Sequence, residues 1–419
     1  MKRFFLLILA HVTAASIYAQ ADTVQKIVEG RMNSPEQQQK PYVILISADG
    51  FRYDYAEKYQ AATLLKLSNE GVRADYMIPG FPTLTFPNHY SLVTGLYPAH
   101  HGIVNNHFYD PMRQESFSMR INNTVRDGSW YGGIPLWVLA EQQQMLTACF
   151  YWIGSEANIQ GIRPTYYYNY NEEIPMNLRI EIVLDWLRLP PEKRPHLINF
   201  YIVDTDNAGH NYGPDAKETG ESVRSLDSSI KKLTEAVKTT GLPVNFIFLS
   251  DHGMINIDTV NTIAMPAILD TSRFIIPRGS EIIELYAKEK KDILPTYRKL
   301  KKTANGYKVY LKSGLPGYLR YSSKDDRMNR IGDLVLLPNW PKVFNFSNRR
   351  PKPGAHGFDP YKIKEMGAVF YAWGPNLKNR IKLPPFENVQ VYPVVTKILG
   401  LRYSHKIDGT DQLAKKIVK

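Results

Sequence analysis

Cysteine is nearly absent from the sequence. Cys149 is the only one among 419 residues, so no internal disulfide can form. It lies in "TACFYWIGS", which is typical of a buried strand, and we interpret it as a core residue rather than a reactive thiol. The sequence also lacks internal repeats and low-complexity segments. With 43% apolar and 22% charged residues, the composition is that of a soluble globular protein of one large or two ordinary domains.

Long apolar runs are also scarce, and the one at the N-terminus is short. Lys2 and Arg3 precede "FFLLILAHVTAAS", which is followed by "IYAQA". A basic start, an apolar middle and a small-residue end predict a signal peptide over residues 1–21, cleaved after Ala19 or Ala21. The apolar middle is too short to predict a membrane span, although a retained membrane anchor is the alternative. We therefore expect a secreted or periplasmic protein without a membrane span in the mature chain.

Acidic residues are outnumbered by basic ones, which leaves a formal net charge of +12. A positive charge favours anionic partners in general but does not by itself indicate nucleic acid. The basic residues gather in the segment 287–312, which we interpret as a solvated helical face rather than a binding patch. We therefore expect no stable nucleic-acid partner.

Short apolar runs, each preceded by proline, predict the central strands of the fold. The runs are "YVILIS" (42–47), "HLINFYIV" (196–203) and "VNFIFLS" (244–250), and "GAVFYAW" (367–373) is a fourth candidate. Nearly continuous apolar residues are typical of strands that are buried on both faces. Residues 22–40 are polar instead, and we expect them to form a loose leader ahead of the fold.

An amphipathic segment, "ESVRSLDSSIKKLTEAVKTTGLP", lies between the second and third runs. Its apolar face repeats at steps of three and four and is formed by Val223, Leu226, Ile230, Leu233 and Val237. A strand–helix–strand unit predicts an α/β fold with a largely parallel central sheet flanked by helices. We expect one domain over residues 41–419, with a less regular insertion at about 255–365 that holds β-like pieces such as "GYKVYLK", "GYLRYSS" and "DLVLLP".

Side chains that can bind metals follow each of these three runs. In chain order they are Asp49, then Asp204, Asp206 and His210, then Asp251 and His252. The carboxyl ends of parallel strands share one edge of a sheet, so these groups are expected to meet there. Each aspartate alone would more often form a turn, but converging carboxylates raise each other's pKa values unless a cation binds. Aspartate with histidine suits zinc or a similar divalent ion, with Asp204 as a competitor of Asp206.

Two threonines compete for a chemical role in "FPTLTFPNHYS", residues 81–91. The pattern predicts Thr85 as a helix N-cap, with Pro87 in the first turn and Gly95 at the helix end. A helix N-terminus also offers backbone N–H groups to phosphate. Beside zinc, the Thr85 hydroxyl could lose its proton and become a nucleophile, whereas Thr83 precedes the helix. From these residues alone, the capping role and the catalytic role of Thr85 both remain open.

These features together resemble a known family. The stretches "ISADGFR", "PTLTFPNHYSLVTGLYPAHHGIVNN", "YDP", "DNAGHNYGPD", "LSDHGM", "GAHGFDP" and "FENVQVYPVVTKILGL" are similar to those of the nucleotide pyrophosphatase/phosphodiesterase family, the type I phosphodiesterases. This family lies within the alkaline phosphatase superfamily. The resemblance covers residues 41 to 403 and implies an alkaline-phosphatase-like core with a smaller inserted or capping α+β subdomain.

The resemblance also implies two zinc ions per chain and a set of site residues. It places one zinc ion on Asp49, Asp251, His252 and the Thr85 oxygen, and the other on Asp206, His210 and His356. It makes Thr85, rather than Thr83, the nucleophile and gives Asn106 the role of a donor to a phosphate oxygen. Phe86 and Tyr170 fall at or near positions that stack on a nucleobase, with a one-residue ambiguity in "TYYYNYN".

The implied activity is hydrolysis of a small-molecule phosphodiester. We expect an exported zinc phosphodiesterase that releases nucleoside 5′-monophosphates from nucleoside 5′-phosphodiesters and nucleotide pyrophosphates through a covalent threonine intermediate. A lipid- or choline-headgroup phosphodiesterase with the same two-zinc site is the alternative. A metal-stabilised binding protein without catalysis is a third hypothesis, and the presence of Thr85 argues against it.

Overall fold

The computed structural model describes residues 22–347 and 349–419. The predicted signal peptide, residues 1–21, therefore lies outside the described residues. Within the described ranges, no helix has both the length and the apolar character needed to cross a membrane.

The described chain alternates strands and helices, which we number in chain order. The strands are β1 Lys26–Ile27, β2 Tyr42–Ala48, β3 Val72–Ala74, β4 Met77–Ile78, β5 His107–Asp110, β6 Glu115–Ser118, β7 Thr147–Phe150, β8 Tyr166–Tyr168, β9 Leu197–Ile202 and β10 Val244–Leu249. They continue as β11 Ile255–Asn256, β12 Phe274–Ile275, β13 Ile283–Ala287, β14 Tyr307–Leu311, β15 Leu334–Pro338, β16 Gly354–Ala355, β17 Phe370–Trp373, β18 Ile381–Leu383 and β19 Phe386–Glu387.

The α-helices lie between these strands along the chain. They are α1 Tyr55–Lys58, α2 Ala62–Glu70, α3 Thr85–Thr94, α4 Pro98–His101, α5 Asn122–Arg126, α6 Leu136–Gln142, α7 Met176–Arg188, α8 Asp204–Tyr212, α9 Lys217–Lys238, α10 Ile293–Thr303, α11 Val391–Leu399 and α12 Gln412–Ile417.

A largely parallel sheet forms the centre of the described chain. Its strand order is β1-β8-β7-β9-β2-β10-β17-β3-β18. The five strands from β8 to β10 run parallel, and β17 pairs antiparallel with β10. Ile46 of β2 lies opposite Phe200 of β9 and Phe248 of β10, so the carboxyl ends of these three strands reach the same edge. The predicted α/β fold class is confirmed.

Helices cover the central strands because those strands are apolar on both faces. Every residue of β2, β9 and β10 is buried, as their continuous apolar pattern predicts. The helix predicted between the second and third runs is α9, which packs against α2, α7 and α8. Its buried face includes all five residues of the predicted apolar stripe, Val223, Leu226, Ile230, Leu233 and Val237. Cys149 is buried in β7, in agreement with its interpretation as a core residue.

Residues 22–40 are attached to the edge of the sheet rather than loose. β1 pairs antiparallel with β8, the outermost of the parallel strands. The buried side-chain amide of Asn33 donates to the carbonyl oxygens of Pro191 and Arg194, and its oxygen accepts the Leu146 N–H. The expectation of a loose leader is therefore wrong, because these polar side chains pair with backbone groups at the ends of neighbouring elements.

A second sheet lies within the segment 255–365. Its strand order is β12-β13-β15-β14, all antiparallel, and α10 packs against it. It has a separate hydrophobic core, which includes Ile283, Leu285, Leu300, Leu334 and Leu336. "GYKVYLK" and "DLVLLP" contain β14 and β15. "GYLRYSS" instead begins with the 3-10 helix Gly317–Leu319, which ends at Arg320 in a left-handed conformation that a strand does not adopt. The limits of the inserted subdomain remain a prediction.

Candidate active site

The side chains that follow the three central strands meet at one edge of the sheet. Asp49 comes directly after β2, and Asp251 comes two residues after β10. The chain after β9 turns into α8, whose first turn carries Asp206 and whose last turn carries His210. Asp204 is exposed at the start of the same helix, so it does not compete with the buried Asp206.

Glycines allow these segments to approach one another. Gly50 has φ +65°, and a Cβ built there would lie 3.0 Å from the Asp206 carboxylate. A side chain at Gly354, in β16, would overlap the carbonyl oxygen of Gly209 in α8. Strand β16, which pairs with β11, therefore packs closely against α8. His356 directly follows β16, so this packing brings it next to His210 of α8.

Three imidazole rings are oriented by the backbone. The Nδ1 atoms of His210, His252 and His356 lie within hydrogen-bond distance of the carbonyl oxygens of Gly354, Gly253 and Thr83, at 2.8, 2.9 and 2.8 Å. A proton on each Nδ1 leaves the Nε2 atom as a lone-pair donor. Outer hydrogen bonds of this kind orient metal-binding histidines.

The Nε2 atoms and the carboxylate oxygens form two adjoining groups. Asp206, His210 and His356 place one ligand atom each within 4.8 Å of one another. Around His252 Nε2 lie Asp251 Oδ2 at 2.9 Å, Asp49 Oδ1 at 3.3 Å and Thr85 Oγ1 at 3.3 Å. The structure thus brings together all seven residues that the family resemblance assigns to two metal sites.

The chemistry of this donor set fits a divalent cation. Asp49 Oδ1, Asp206 Oδ1 and Asp251 Oδ2 are buried and have no hydrogen-bond partner among the described residues. An unpaired buried carboxylate oxygen is costly unless it binds a cation. Carboxylate oxygens with imidazole nitrogens are ligands that zinc accepts. The residues present therefore fit the two zinc ions that the family resemblance implies.

The pKa values of Asp49 and Asp251 reflect the crowding of charged groups at this site. Burial raises the pKa of Asp49 well above its usual value, and the charges of Asp251 and Asp206 raise it further. Burial also raises the pKa of Asp251, but His252 and His89 outweigh that effect and hold it well below its usual value. A divalent cation would relieve the repulsion between the carboxylates.

Thr83 and Thr85 have different environments. The Thr83 hydroxyl donates to the Phe358 carbonyl and accepts the Gly357 N–H, so it fastens the loop that carries His356. Thr85 instead turns its hydroxyl towards His252 Nε2. The predicted N-cap role of Thr85 is wrong: Leu84, in an extended conformation, occupies the cap position, and Thr85 is the first residue of α3.

Asn106 lies beside the start of α3. Its Oδ1 atom accepts the backbone N–H of Phe86 at 3.0 Å. This bond fixes the orientation of the amide and leaves the Nδ2 donors for another partner. The Phe86 ring is buried and packs edge-on against Phe117 at 5.9 Å.

The tyrosines of "TYYYNYN" separate into two environments. Tyr166 and Tyr168 are buried in β8, and Tyr168 stacks on Phe150 inside the core. Tyr170 is 46% exposed and its ring lies 6.2 Å from that of Tyr201, which contacts Asp49. Tyr170 is therefore the member of the run beside the metal-binding cluster.

Two residues of the cluster were missed in the sequence. His89 lies one turn after Thr85 and places Nδ1 3.2 Å from Asp251 Oδ2 and Nε2 2.8 Å from Ser47 Oγ. The Tyr201 hydroxyl donates to Asp49 Oδ2 at 2.5 Å. The spacing of His89 from Thr85 was a usable signal, since residues four apart share a helix face.

Comparison with known proteins identifies the family. Residues 43–359 match the family model described as type I phosphodiesterase / nucleotide pyrophosphatase. The chain belongs to this family. The resemblance inferred from the sequence motifs is therefore confirmed.

Two curated relatives from the type I phosphodiesterase family are longer than this chain. Ectonucleotide pyrophosphatase/phosphodiesterase family member 1 of Rattus norvegicus is 34% identical over 380 residues, which is 88% of this chain and 42% of that protein. Venom phosphodiesterase 2 of Crotalus adamanteus is 35% identical over 372 residues, which is 86% of this chain and 45% of that protein. The chain thus spans less than half of the length of these relatives.

Solved structures of type I phosphodiesterase relatives have the same fold. Murine ectonucleotide pyrophosphatase/phosphodiesterase 5, as an inactive variant in complex with AMP, is 26% identical with a TM-score of 0.83. That match covers 91% of this chain and 100% of the murine chain. The human protein of the same name matches with a TM-score of 0.84 and 26% identity, over 90% of this chain and 99% of that chain.

Proposed function

We propose that the protein is an exported, zinc-dependent phosphodiesterase and nucleotide pyrophosphatase that produces nucleoside 5′-monophosphates. The observation that carries this proposal is the position of the Thr85 hydroxyl, 3.3 Å from His252 Nε2 at the first residue of α3. This position puts the hydroxyl among side chains that can bind a metal and at a helix N-terminus, where phosphate binds. Membership of the type I phosphodiesterase family supports the same class of reaction.

The seven converging residues would hold two zinc ions. Asp49, Asp251, His252 and Thr85 would hold one, and Asp206, His210 and His356 would hold the other. Zinc at these places would supply Lewis-acid stabilisation of phosphate oxygens and would lower the pKa of the Thr85 hydroxyl. Tyr201 and the backbone carbonyls behind the three histidines would keep the ligands in place.

Thr85 is the nucleophile in the proposed reaction. Its oxygen forms a bond to phosphorus while the bond to the leaving alcohol or phosphate breaks, which leaves a threonyl-phosphoryl ester. Water then hydrolyses this ester, releases the nucleoside monophosphate and restores the hydroxyl. The Asn106 Nδ2 group donates to a phosphate oxygen as charge develops there. One neutral donor suits the monoanion of a diester better than a dianionic monoester, which favours cationic contacts.

Phe86 and Tyr170 would bind the nucleobase. Phe86 follows the nucleophile directly, and Tyr170 lies on the side of Tyr201 and Asp49. Aromatic rings stack on any base face, which explains binding of a nucleoside but sets no base preference. The murine relative that holds AMP supports a nucleotide as the substrate.

Three p-nitrophenyl esters test the proposal: a nucleoside 5′-(p-nitrophenyl) phosphate, p-nitrophenyl phosphate and p-nitrophenyl phosphocholine. We expect the zinc-loaded protein to prefer the nucleoside ester and Thr85→Ala to lose at least about 10³-fold in kcat. Thr94→Ala is the matched control, because among the described residues its hydroxyl bonds only to the Tyr90 carbonyl of its own helix. Equal turnover by wild type and Thr85→Ala would rule out the nucleophile, and a preference for the plain monoester would rule out the diesterase.

Trapping the covalent ester gives a second readout. After an acid quench of turnover, mass spectrometry should find a nucleoside monophosphoryl group on the α3 peptide of wild type and none on Thr85→Ala. Modification of Thr83 instead would overturn the assignment, although its hydroxyl is fully engaged by Phe358 and Gly357.

A choline- or lipid-headgroup diester is the second candidate substrate. The observation in its favour is that Tyr170, beside Tyr151, bonds through its hydroxyl to the Glu172 carboxylate at 2.6 Å. Aromatic faces with a nearby carboxylate bind quaternary ammonium groups. A preference for the phosphocholine ester in the same assay would select this substrate.

The signal-like residues 1–21 support export. N-terminal sequencing of the protein from the periplasm or medium should begin at Gln20 or Asp22. Recovery of the protein only in the cytosol with its first residues intact would contradict export.

A further inference from the structure

Asn106 is carried by a loop that has little secondary structure of its own. Residues 102–106 connect α4 to β5. The last residue is held by the β5–β6 hairpin, since the Asn106 carbonyl accepts the Met119 N–H at 3.0 Å. The middle of the loop depends on a different part of the chain: the Val104 carbonyl faces the Tyr321 hydroxyl at 3.0 Å, and Asn105 Nδ2 faces Glu284 Oε2 at 3.0 Å.

Glu284 connects three segments at one buried point. It lies on β13 of the second sheet and is 2% exposed. One carboxyl oxygen binds Asn105, and the other lies 3.1 Å from the Tyr321 hydroxyl and 3.2 Å from the Gly332 N–H. A buried acid with this many partners links the second sheet to the loop of Asn106.

How firmly the loop is held depends on how many protons Tyr321 and Glu284 can donate in hydrogen bonds. The Tyr321 hydroxyl has one proton, but both the Val104 carbonyl and Glu284 Oε1 lie within hydrogen-bond distance. When Glu284 is protonated, its O–H can donate to Tyr321, and Tyr321 can donate to Val104. When Glu284 is ionised, it competes for the Tyr321 proton, and Val104 has no other hydrogen-bond donor among the described residues.

We propose that Glu284 is a positioning residue for the loop 102–106, which carries the phosphate donor Asn106. Through Asn105 and Tyr321, Glu284 fixes where the Asn106 side chain lies. This inference rests on the proposed function, in which Asn106 donates to the phosphate. The second sheet therefore contributes to transition-state stabilisation without touching the substrate. Misplacing a donor of this kind lowers kcat, because its bond strengthens as charge develops on the phosphate oxygen.

The surroundings of Glu284 place its titration near neutral pH. Burial raises the pKa of Glu284 to about 7, and the donors from Gly332, Asn105 and Tyr321 oppose that rise. The charge of Asp326 adds to it. The titratable groups that act on Glu284 from the neighbouring elements are Tyr286, Tyr321 and Asp326. Asp326 in turn pairs with Lys312 at 3.1 Å, and the charge of Asp333 acts on Tyr286. Burial raises the pKa of both tyrosines well above their usual value, so both stay neutral.

Three variants test the positioning role in the full chain. Glu284→Ala removes the bonds, Glu284→Gln keeps the volume without the charge, and Glu141→Gln is the matched control. Glu141 is also a buried acid, and burial raises its pKa. It bonds to Thr147 and Thr165 at the amino end of β7, away from the candidate active site. The readouts are steady-state kcat and KM with the nucleoside ester, metal content, and amide hydrogen exchange of the peptide that covers residues 102–108.

We expect Glu284→Ala to lower kcat about 10- to 100-fold with KM changed by less than about threefold. Exchange of the 102–108 peptide should accelerate, while metal content stays as in wild type. Glu284→Gln should recover kcat to within about fivefold of wild type and flatten its change between about pH 6 and pH 8. Glu141→Gln should keep kcat and loop exchange within about twofold.

Unchanged loop exchange in Glu284→Ala would overturn the proposal, as would equal losses in Glu284→Ala and Glu141→Gln. If Glu284→Ala does not fold, Glu284→Gln decides: an unaltered pH profile and unaltered loop exchange would also overturn it. A wild type that cleaves no diester would contradict the proposed function instead, because loop exchange measures the Glu284 contact without any turnover.

Discussion

His210 and His356 point their Nε2 atoms at each other across 3.0 Å, while the Nδ1 atom of each faces a backbone carbonyl. Two lone pairs at this distance repel unless a cation lies between or beside them. Asp206 Oδ1 completes the group at 3.5 and 3.7 Å from the two Nε2 atoms. The relationship between these two histidines is thus the clearest sign of a metal centre in the fold.

Removal of one of these histidines should remove one metal ion. We expect about two zinc ions per chain in wild type and about one in His356→Ala, measured by elemental analysis of the dialysed protein. His405→Ala, half-buried near Tyr392 and Tyr403, is the control and should keep the wild-type content. Equal zinc content in all three proteins would contradict the proposed ligand set.

Loss of the Asn106 amide should affect the chemical step more than binding. We expect Asn106→Ala to lower kcat about 10²- to 10³-fold with a small change in KM, because in the proposed reaction its amide donates to a phosphate oxygen as charge develops there. Asn123→Ala, at an exposed position of α5, is the control. A variant Asn106→Ala that raises KM alone would show that the amide contributes only to ground-state binding.

The buried pair of Arg330 and Asp110 should contribute strongly to stability. Arg330 Nε lies 2.8 Å from Asp110 Oδ2, and its Nη1 donates to the carbonyls of Gly102 and Trp130. We expect Arg330→Met to lower the free energy of unfolding by about 3–5 kcal/mol, because it leaves a buried carboxylate unpaired.

Chemical denaturation measures this effect of Arg330. Arg273→Met is the control, because Arg273 is exposed and its ion pairs with Asp270 and Asp292 should contribute little to stability. A similar loss in both variants would contradict a special role for the buried pair.

Glu284 should make the stability of the protein depend on pH. Its pKa is raised from 4.5 to about 7, chiefly by burial, so the folded state holds a proton that the unfolded state releases. The free energy of unfolding should therefore fall as pH rises from about 4.5 to about 7, by up to about 3 kcal/mol, and stay level above that.

Urea denaturation of wild type and Glu284→Gln at about pH 5 and about pH 8 checks the sign. The Gln variant should gain stability relative to wild type at the higher pH. A stability difference that does not change with pH would show that Glu284 keeps an ordinary pKa.

The strand ends and the acidic residues after them were predictable because both depend on local patterns. Asp49, Asp206 and Asp251 follow apolar runs, and buried parallel strands align their carboxyl ends. The environment of Thr85 was not predictable in this way. Its hydroxyl turns to His252 instead of capping α3, and that choice depends on a residue 167 positions away along the chain.

The contributions of Tyr201 and Glu284 were hidden for a related reason. In the sequence, Tyr201 cannot be told apart from the other apolar positions of a buried strand. Only the register of β2 against β9 places its hydroxyl within hydrogen-bond distance of Asp49. In the sequence, Glu284 looks like any other charged residue. Its contact with Asn105 depends on how the second sheet packs against the loop 102–106. Local periodicity carries no information on such long-range pairs.

The two-residue strand β1 covers the edge of β8 in the central sheet. Without it, the backbone of β8, Tyr166–Tyr168, would form an open edge rich in tyrosine, and open edges of this kind recruit strands from other copies. A protein shortened to begin at Pro41 should therefore form oligomers or aggregates in size-exclusion chromatography. If it does, the short polar segment ahead of the fold is what prevents one copy of the sheet from pairing with another.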